Sequence, residues 1–225
     1  MKRFLYFLIV LFLISCSNSK NSLEFIIATS GNYLFNSDES IGVSFVENEM
    51  IVNWRGNDNI KPLKVNDSTF YIKEMNEKFI FITKPKTHIK LAEKREHKGQ
   101  EIRFIKMKKD QKTPKEYFTN KEYDKALEGY LSIRENNPSS RSVNESDLNY
   151  LGYRALKDKN YEKAMHIFKI NTILYPKNAN TFDSLGDAYW KLKDTVKALD
   201  CFNKVLTLDS ENKRAKQFLK DFTFE

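Results

Sequence analysis

Histidines, cysteines and serines spaced from lysine are where reaction chemistry would have to start in this sequence, and their positions give it no centre. His88, His97 and His166 match no metal-ligand spacing with one another or with Cys201. Ser-x-x-Lys, the spacing of a nucleophilic serine and its lysine, occurs as Ser17 to Lys20 and as Ser210 to Lys213. The first lies in a polar stretch near the amino end and the second between two helical units, so no acid or base is placed to converge on either. No G-x-S-x-G elbow occurs. Cys201 falls on a helix where it reads as a small apolar side chain. The expectation is a non-enzymatic protein with no catalytic residues, no metal and no cofactor.

The elements that carry the other residues fall into three stretches. At 225 residues, 40% hydrophobic and 13% aromatic, the chain has enough apolar surface for one large or two small cores. Seven glycines and five prolines are too few for a loop-built or collagenous architecture, and two cysteines exclude a disulfide framework. The formal charge of +8 and a pI near 9.2 are compatible with an acidic partner, whether nucleic acid, phospholipid headgroups or an acidic protein, and charge alone does not choose among them. Most of the excess lies between residues 77 and 116, where thirteen Lys and Arg face six Asp and Glu.

At the amino end, Lys2 and Arg3 precede an apolar run from Phe4 to Ile14. Eleven residues at about 1.5 Å each fall short of a hydrocarbon core about 30 Å thick, so the run reads as a signal peptide over residues 1–15. Leu13-Ile14-Ser15-Cys16 resembles a bacterial lipobox. The resemblance implies that Cys16 carries acyl chains such as palmitate, becomes the mature amino terminus, and holds the chain on a membrane through a lipidated tether, residues 16–22. Ser17 rather than Asp follows the cysteine, which by the same analogy implies the outer membrane of a bacterial cell envelope, facing the periplasm. Nucleic acid is excluded as a partner there.

Residues 23–109 carry a period-two pattern. Ile41, Val43 and Phe45 alternate along one strand, Met50, Val52 and Trp54 along the next, and Glu47-Asn48-Glu49 turns between them. Further strands are expected over Thr69–Lys73, Lys78–Thr83, His88–Leu91 and Glu101–Met107, giving a small antiparallel barrel or sandwich. Trp54, Phe70, Phe79 and Phe81 would fill its core or line a ligand cavity. Gly31-Asn32-Tyr33, Pro62-Leu63 leading to Phe70-Tyr71-Ile72, and Phe79-Ile80-Phe81 resemble the small β domain that follows the catalytic domain in some bacterial β-lactamase-related serine hydrolases. In those proteins the domain is an appendage.

Residues 110–225 repeat themselves. Leu151-Gly152 and Leu185-Gly186, Ala164 and Ala198, and Phe168 and Phe202 are each 34 residues apart. Tyr123, Ala126, Tyr130 and Pro138 form a degenerate earlier copy, set back by an insertion expected within residues 137–144. The period with these small and aromatic positions resembles the tetratricopeptide repeat, a pair of antiparallel helices. It predicts a β domain followed by an α-helical tetratricopeptide-repeat array, an α+β protein closed by a capping helix from Glu211 to Phe222. Docking of the β domain on the degenerate copy would cover the other end of the stack.

In that family the inner face of each first helix contacts the partner. By register these positions are Asn149, Tyr153, Leu156 and Lys157, then Asp183, Asp187, Trp190 and Lys191. Their mixed charge and two aromatics suit a protein or peptide partner. They lack the basic and asparagine cluster that clamps a carboxyl-terminal peptide. A lipid-anchored protein-interaction module is the expectation; the rivals are a β barrel taking a small apolar or carbohydrate ligand, and an accessory subunit of a separate hydrolase.

Overall fold

The computed structural model describes residues 20–222. Cys16, the lipobox and the apolar run lie outside them. The described residues open with a short helix, α1 (Leu23–Thr29), inside the stretch whose period-two pattern predicts strands. Two local features override that pattern. The Ser22 hydroxyl accepts from the amide of Phe25 as an N-cap, and Phe25 and Thr29, one turn apart, face inward together.

Two antiparallel sheets follow. The first is β1 (Gly31–Leu34), β2 (Ser40–Val46), β3 (Glu49–Trp54) and β4 (Asn57–Ile60), in chain order. The second is β5 (Leu63–Lys64), β6 (Thr69–Ile72), β7 (Glu77–Ile82), β8 (His88–Leu91) and β9 (Arg103–Ile105), also in chain order. A single bridge, Tyr33 to Lys106, joins the two sheets at β1 and β9. The strands make no closed barrel, and the arrangement is sandwich-like. Both β2–β3 and β3–β4 turn on two residues with positive φ, Glu47 and Asn48 and then Arg55 and Gly56, the backbone that a tight hairpin needs to match strand twist.

The inner faces share one core. Ile41, Val43 and Val52 from the first sheet meet Phe70, Phe79, Phe81 and Phe104 from the second. Phe25 of α1 plugs its end, stacking on Phe70 at 5.9 Å and edge-on to Phe81 at 5.7 Å. The aromatics weighed as cavity lining are therefore the filling: Phe70, Phe79 and Phe81 are buried in this core. Trp54 lies at its margin against Phe35, with the Arg55 guanidinium over its ring.

The helical part pairs α2 (Pro114–Thr119) with α3 (Tyr123–Asn136), α4 (Glu145–Lys157) with α5 (Tyr161–Leu174), and α6 (Ala179–Lys191) with α7 (Thr195–Leu208), and α8 (Lys213–Phe222) packs on the last pair. The turn inside each pair is built the same way. Lys121, Lys159 and Lys193 adopt positive φ, and the next amide donates back across the turn, Glu122 to Tyr117, Asn160 to Ala155 and Asp194 to Tyr189. The degenerate copy thus keeps the turn of the full ones, but its first helix is cut to six residues.

Ala126, Ala164 and Ala198 are all fully buried, as their shared register predicts. Gly152 and Gly186 sit over Phe168 and Phe202 of their partner helices, where a Cβ would lie 2.2 Å and 3.0 Å from the rings. Close ring contact explains why glycine stands inside helices that it weakens by about 1 kcal/mol relative to alanine. The inserted residues form a 3-10 turn, Arg141–Val143, that drives Val143 into the core.

That core spans both parts of the chain. Leu34 at the end of β1 and Met107 after β9 pack with Tyr130, Ile133, Val143 and Leu148. The loop after β1 adds polar contacts: the Lys115 amide donates to the Ser37 carbonyl at 2.7 Å, and its ammonium pairs with Asp38 at 2.9 Å. The sheets thereby cover the end of the stack that the short α2 leaves open.

Candidate functional site

The first helices α4 and α6 lie side by side, and α8 follows them along the same face. Each begins at a side-chain or backbone signal the sequence supplies. Asn144 caps α4 by accepting from Ser146 and Asp147, and Asn178 caps α6 by accepting from Asn180. With the starts fixed, residues four apart on each helix stack on one face, so Asn149 and Tyr153 on α4 stand opposite Asp183 and Asp187 on α6.

These four are joined in a network. The Tyr153 hydroxyl donates to Asp187 Oδ2 at 3.0 Å. Ser184 Oγ donates to Asn149 Oδ1 at 2.6 Å and lies 3.3 Å from the Tyr153 hydroxyl. Arg214 of α8 then pairs with both Asp183 and Asp187 through its two terminal nitrogens. Three alternate helices, α4, α6 and α8, are laced by one ladder of polar groups.

The electrostatics follow from partial burial. Burial pushes the Tyr153 phenol up to about 12, with Asp187 adding to the shift and the Ser184 contact opposing it. Burial likewise raises the Asp183 carboxyl above the usual carboxylate range, and the neighbouring Arg214 opposes that rise. The Arg214 guanidinium carbon also lies over the Phe202 ring, 5.6 Å from its centre, a cation–π contact.

The remaining predicted positions lie toward the carboxyl ends of α4 and α6. Leu156 is half-buried and packs into the cluster of Ala155, Ala164 and Ala188, so it belongs to the stack as much as to the face. Trp190 meets Phe218 of α8 edge-on at 5.1 Å yet keeps 42% of its surface exposed. Lys157 and Lys191 are exposed, and so is Tyr153, at 38%. Sequence reasoning missed Ser184 and Arg214. Arg214 stands 34 residues after Asn180, so the period carries the signal once α8 is read as another first helix rather than as a solvating cap.

The two Leu-Gly pairs are not equivalent in space. Leu185 is buried, whereas Leu151 is 45% exposed and lines an open groove of about 480 Å³ with Phe118, Tyr130, Leu148, Ala155 and Ile167. The groove exists because α2 is too short to cover α4 as α4 and α5 cover α6.

The basic stretch is partly neutralised. Lys90 and Arg103 share Glu101, and Lys94 and His97 share Glu77. Lys86, Lys108 and Lys109 make no ion pair among the described residues and line a cleft between the sheets and α2–α3 with Lys106, Lys112 and Lys125. His166 stacks on Tyr123 at 3.4 Å, and His88 bonds its neighbour's carbonyl at Lys86. Ser210 to Lys213 is the exposed turn between α7 and α8.

Cys201 packs against Ala188 and Leu185, and burial pushes its thiol up to about 12. Because the thiolate is the nucleophile, we expect iodoacetamide at about pH 8 to leave Cys201 unlabelled in the native protein and to label it readily in urea. Site-resolved mass spectrometry checks this. Equal labelling in both would contradict its packing between α6 and α7.

No protein-family model matches the chain, and no curated protein matches it. Among solved structures, the chain is similar to the first tetratricopeptide domain of Spaghetti (RPAP3) bound to an HSP90 peptide, at 19% identity over 49% of this chain and 84% of that one, with a TM-score of 0.35. It is similar to the Arabidopsis OM64 tetratricopeptide domain at 20% identity, covering 48% of this chain and 86% of that one, with a TM-score of 0.34. It is also similar to MamA at 20% identity, covering 45% of this chain and 57% of that one, with a TM-score of 0.31.

Proposed function

We propose that the chain is a membrane-tethered, non-enzymatic interaction protein that binds a protein or peptide along the face of α4, α6 and α8. The observation that carries this reading is the ladder from Asn149 to Arg214, flanked by the half-exposed rings of Tyr153 and Trp190. Rings held by internal bonds lose little freedom on binding, and the charges between them are already paired, so a partner meets a preorganised surface. Asp183 and Asp187 pair with Arg214, while Lys157 and Lys191 of the named face positions are exposed with no ion pair among the described residues, which favours an acidic segment beside an apolar one. The period-34 helix pairs support a tetratricopeptide-like use of this face. Cys16, acylated as the lipobox resemblance implies, supplies the tether to the bacterial envelope. The packed interior of the sheets supports a spacer or second contact surface there rather than a ligand cavity.

The test is cross-linked capture from detergent-solubilised envelope, comparing the unaltered chain with Trp190→Ala and Tyr153→Ala. Loss of recovered partner by about tenfold or more in either variant is expected of an aromatic hot spot. Capture unchanged by both, with thermal melts near that of the unaltered chain, overturns this use of the face.

A further inference from the structure

We infer that α1 is a bilayer contact, laying Leu23 and Ile27 into the lipid surface and so fixing which end of the molecule faces the membrane; this rests on the anchoring proposed above. Leu23 is 71% exposed and Ile27 67%, one helical turn apart on the side opposite Phe25, which is committed to the core. Among the described residues these exposed side chains pack against no apolar partner, while the opposite face of the helix is committed to the core. Two more exposed apolar residues stand at the same end. Val46 closes β2 beside the turn whose Asn48 carbonyl accepts from the Asn21 side chain, and Leu63 opens β5 opposite Tyr71.

Chain length names the occupant. Six residues, 17–22, separate Cys16 from Leu23, and at no more than about 3.6 Å per residue α1 must lie within roughly 25 Å of an acylated Cys16. The Tyr33 hydroxyl donates to the Thr29 carbonyl at 2.7 Å and the Lys106 ammonium to the Ala28 carbonyl at 2.7 Å, so α1 is fastened to both sheets rather than swinging on the tether. Its exposed face must therefore be presented to whatever surface the tether reaches. Charge does not draw it there. Lys20, Lys61 and Lys64 at this end are offset by Glu24, Glu47, Glu49 and Asp67, with Lys61 pairing to Glu49 and Lys64 to Asp67. The contact is an apolar one, independent of lipid charge and of salt.

The experiment uses the full lipidated chain in phosphatidylcholine vesicles, with and without brominated acyl chains, comparing the unaltered protein with Ile27→Trp. An exposed site accepts the substitution, and Trp54 and Trp190 give the background. The added emission is expected to be blue-shifted and quenched by brominated lipid, equally at low and high salt. A vesicle-bound variant whose added emission is red and unquenched overturns the inference alone. Quenching that needs phosphatidylglycerol and low salt also overturns it, by assigning the contact to the lysines. Failure of the unaltered chain to float with vesicles overturns the anchor, and the inference with it.

Discussion

Gly152→Ala destabilises the helical array, against the helix propensity of the two residues. Alanine in place of glycine favours a helix by about 1 kcal/mol, but the added methyl would stand 2.2, 2.5 and 2.7 Å from three ring carbons of Phe168. Phe168 is fully buried among Ala164, Leu185 and Ala188, so its ring has no room to withdraw. Overpacking of this kind costs about 1–3 kcal/mol, and the net loss in urea unfolding falls at the upper part of that range less the propensity gain. The decisive measurement is a double-mutant cycle. Phe168→Ala alone costs about 3–5 kcal/mol. Added to that background, Gly152→Ala reverses sign, because its methyl now enters a vacated space and the propensity gain stands alone. Additive effects would place Phe168 elsewhere. Gly186→Ala is the milder companion, since the nearest Phe202 carbons lie at 3.0 Å.

Arg214→Leu breaks the ladder at its shared cation and is expected to cost about 1.5–3 kcal/mol at neutral pH, the range for hydrogen bonds to charged groups. Half the arginine side chain is exposed, so screening puts the loss in the lower half of that range. The pH dependence has a definite sign. Asp183 already titrates above the ordinary carboxylate range because it is buried. A carboxyl raised on folding binds its proton more tightly in the folded state, so stability falls as pH rises from the unfolded value through the folded one. Removing Arg214 takes away the group that opposes this rise. The deficit of the variant is therefore largest at neutral pH and shrinks toward about pH 4, near the unperturbed carboxylate value. A deficit constant with pH would show that the loss comes from the cation–π contact with Phe202 instead.

The parts of the fold legible in the sequence were those where one side chain type has one place to go. Buried alanine and phenylalanine at a fixed period report helix pairs, since only small and planar groups fit between helices that close. The hairpin around Glu47 and Asn48 was legible for a similar reason, with apolar residues alternating on either side of it. The helix α1 was not, because seven residues with apolar groups at both odd and even positions satisfy two periods, and Ser22 decides between them only through its capping bond. Closure was illegible as well: β4 and β5 go to different sheets where the chain passes through Lys61-Pro62, which no alternation encodes.

In the candidate site, register alone put Asn149, Tyr153, Asp183 and Asp187 on one face. Their bonding through Ser184 and Arg214 was hidden, because an arginine 27 and 31 residues beyond two aspartates means nothing until a third helix is known to line up with the first two. The open groove beside Leu151 came from a six-residue α2, a length the sequence does not mark, since Thr113 and Pro114 start the helix late without any sign of what it fails to cover.

The shared core of Leu34, Met107, Tyr130 and Val143 has a mechanical meaning. Because this core leaves no slack joint between the sheets and the helices among the described residues, the two halves tilt together rather than hinge. A force applied at the ladder would therefore reach α1 as torque instead of being absorbed as stretch between the two halves.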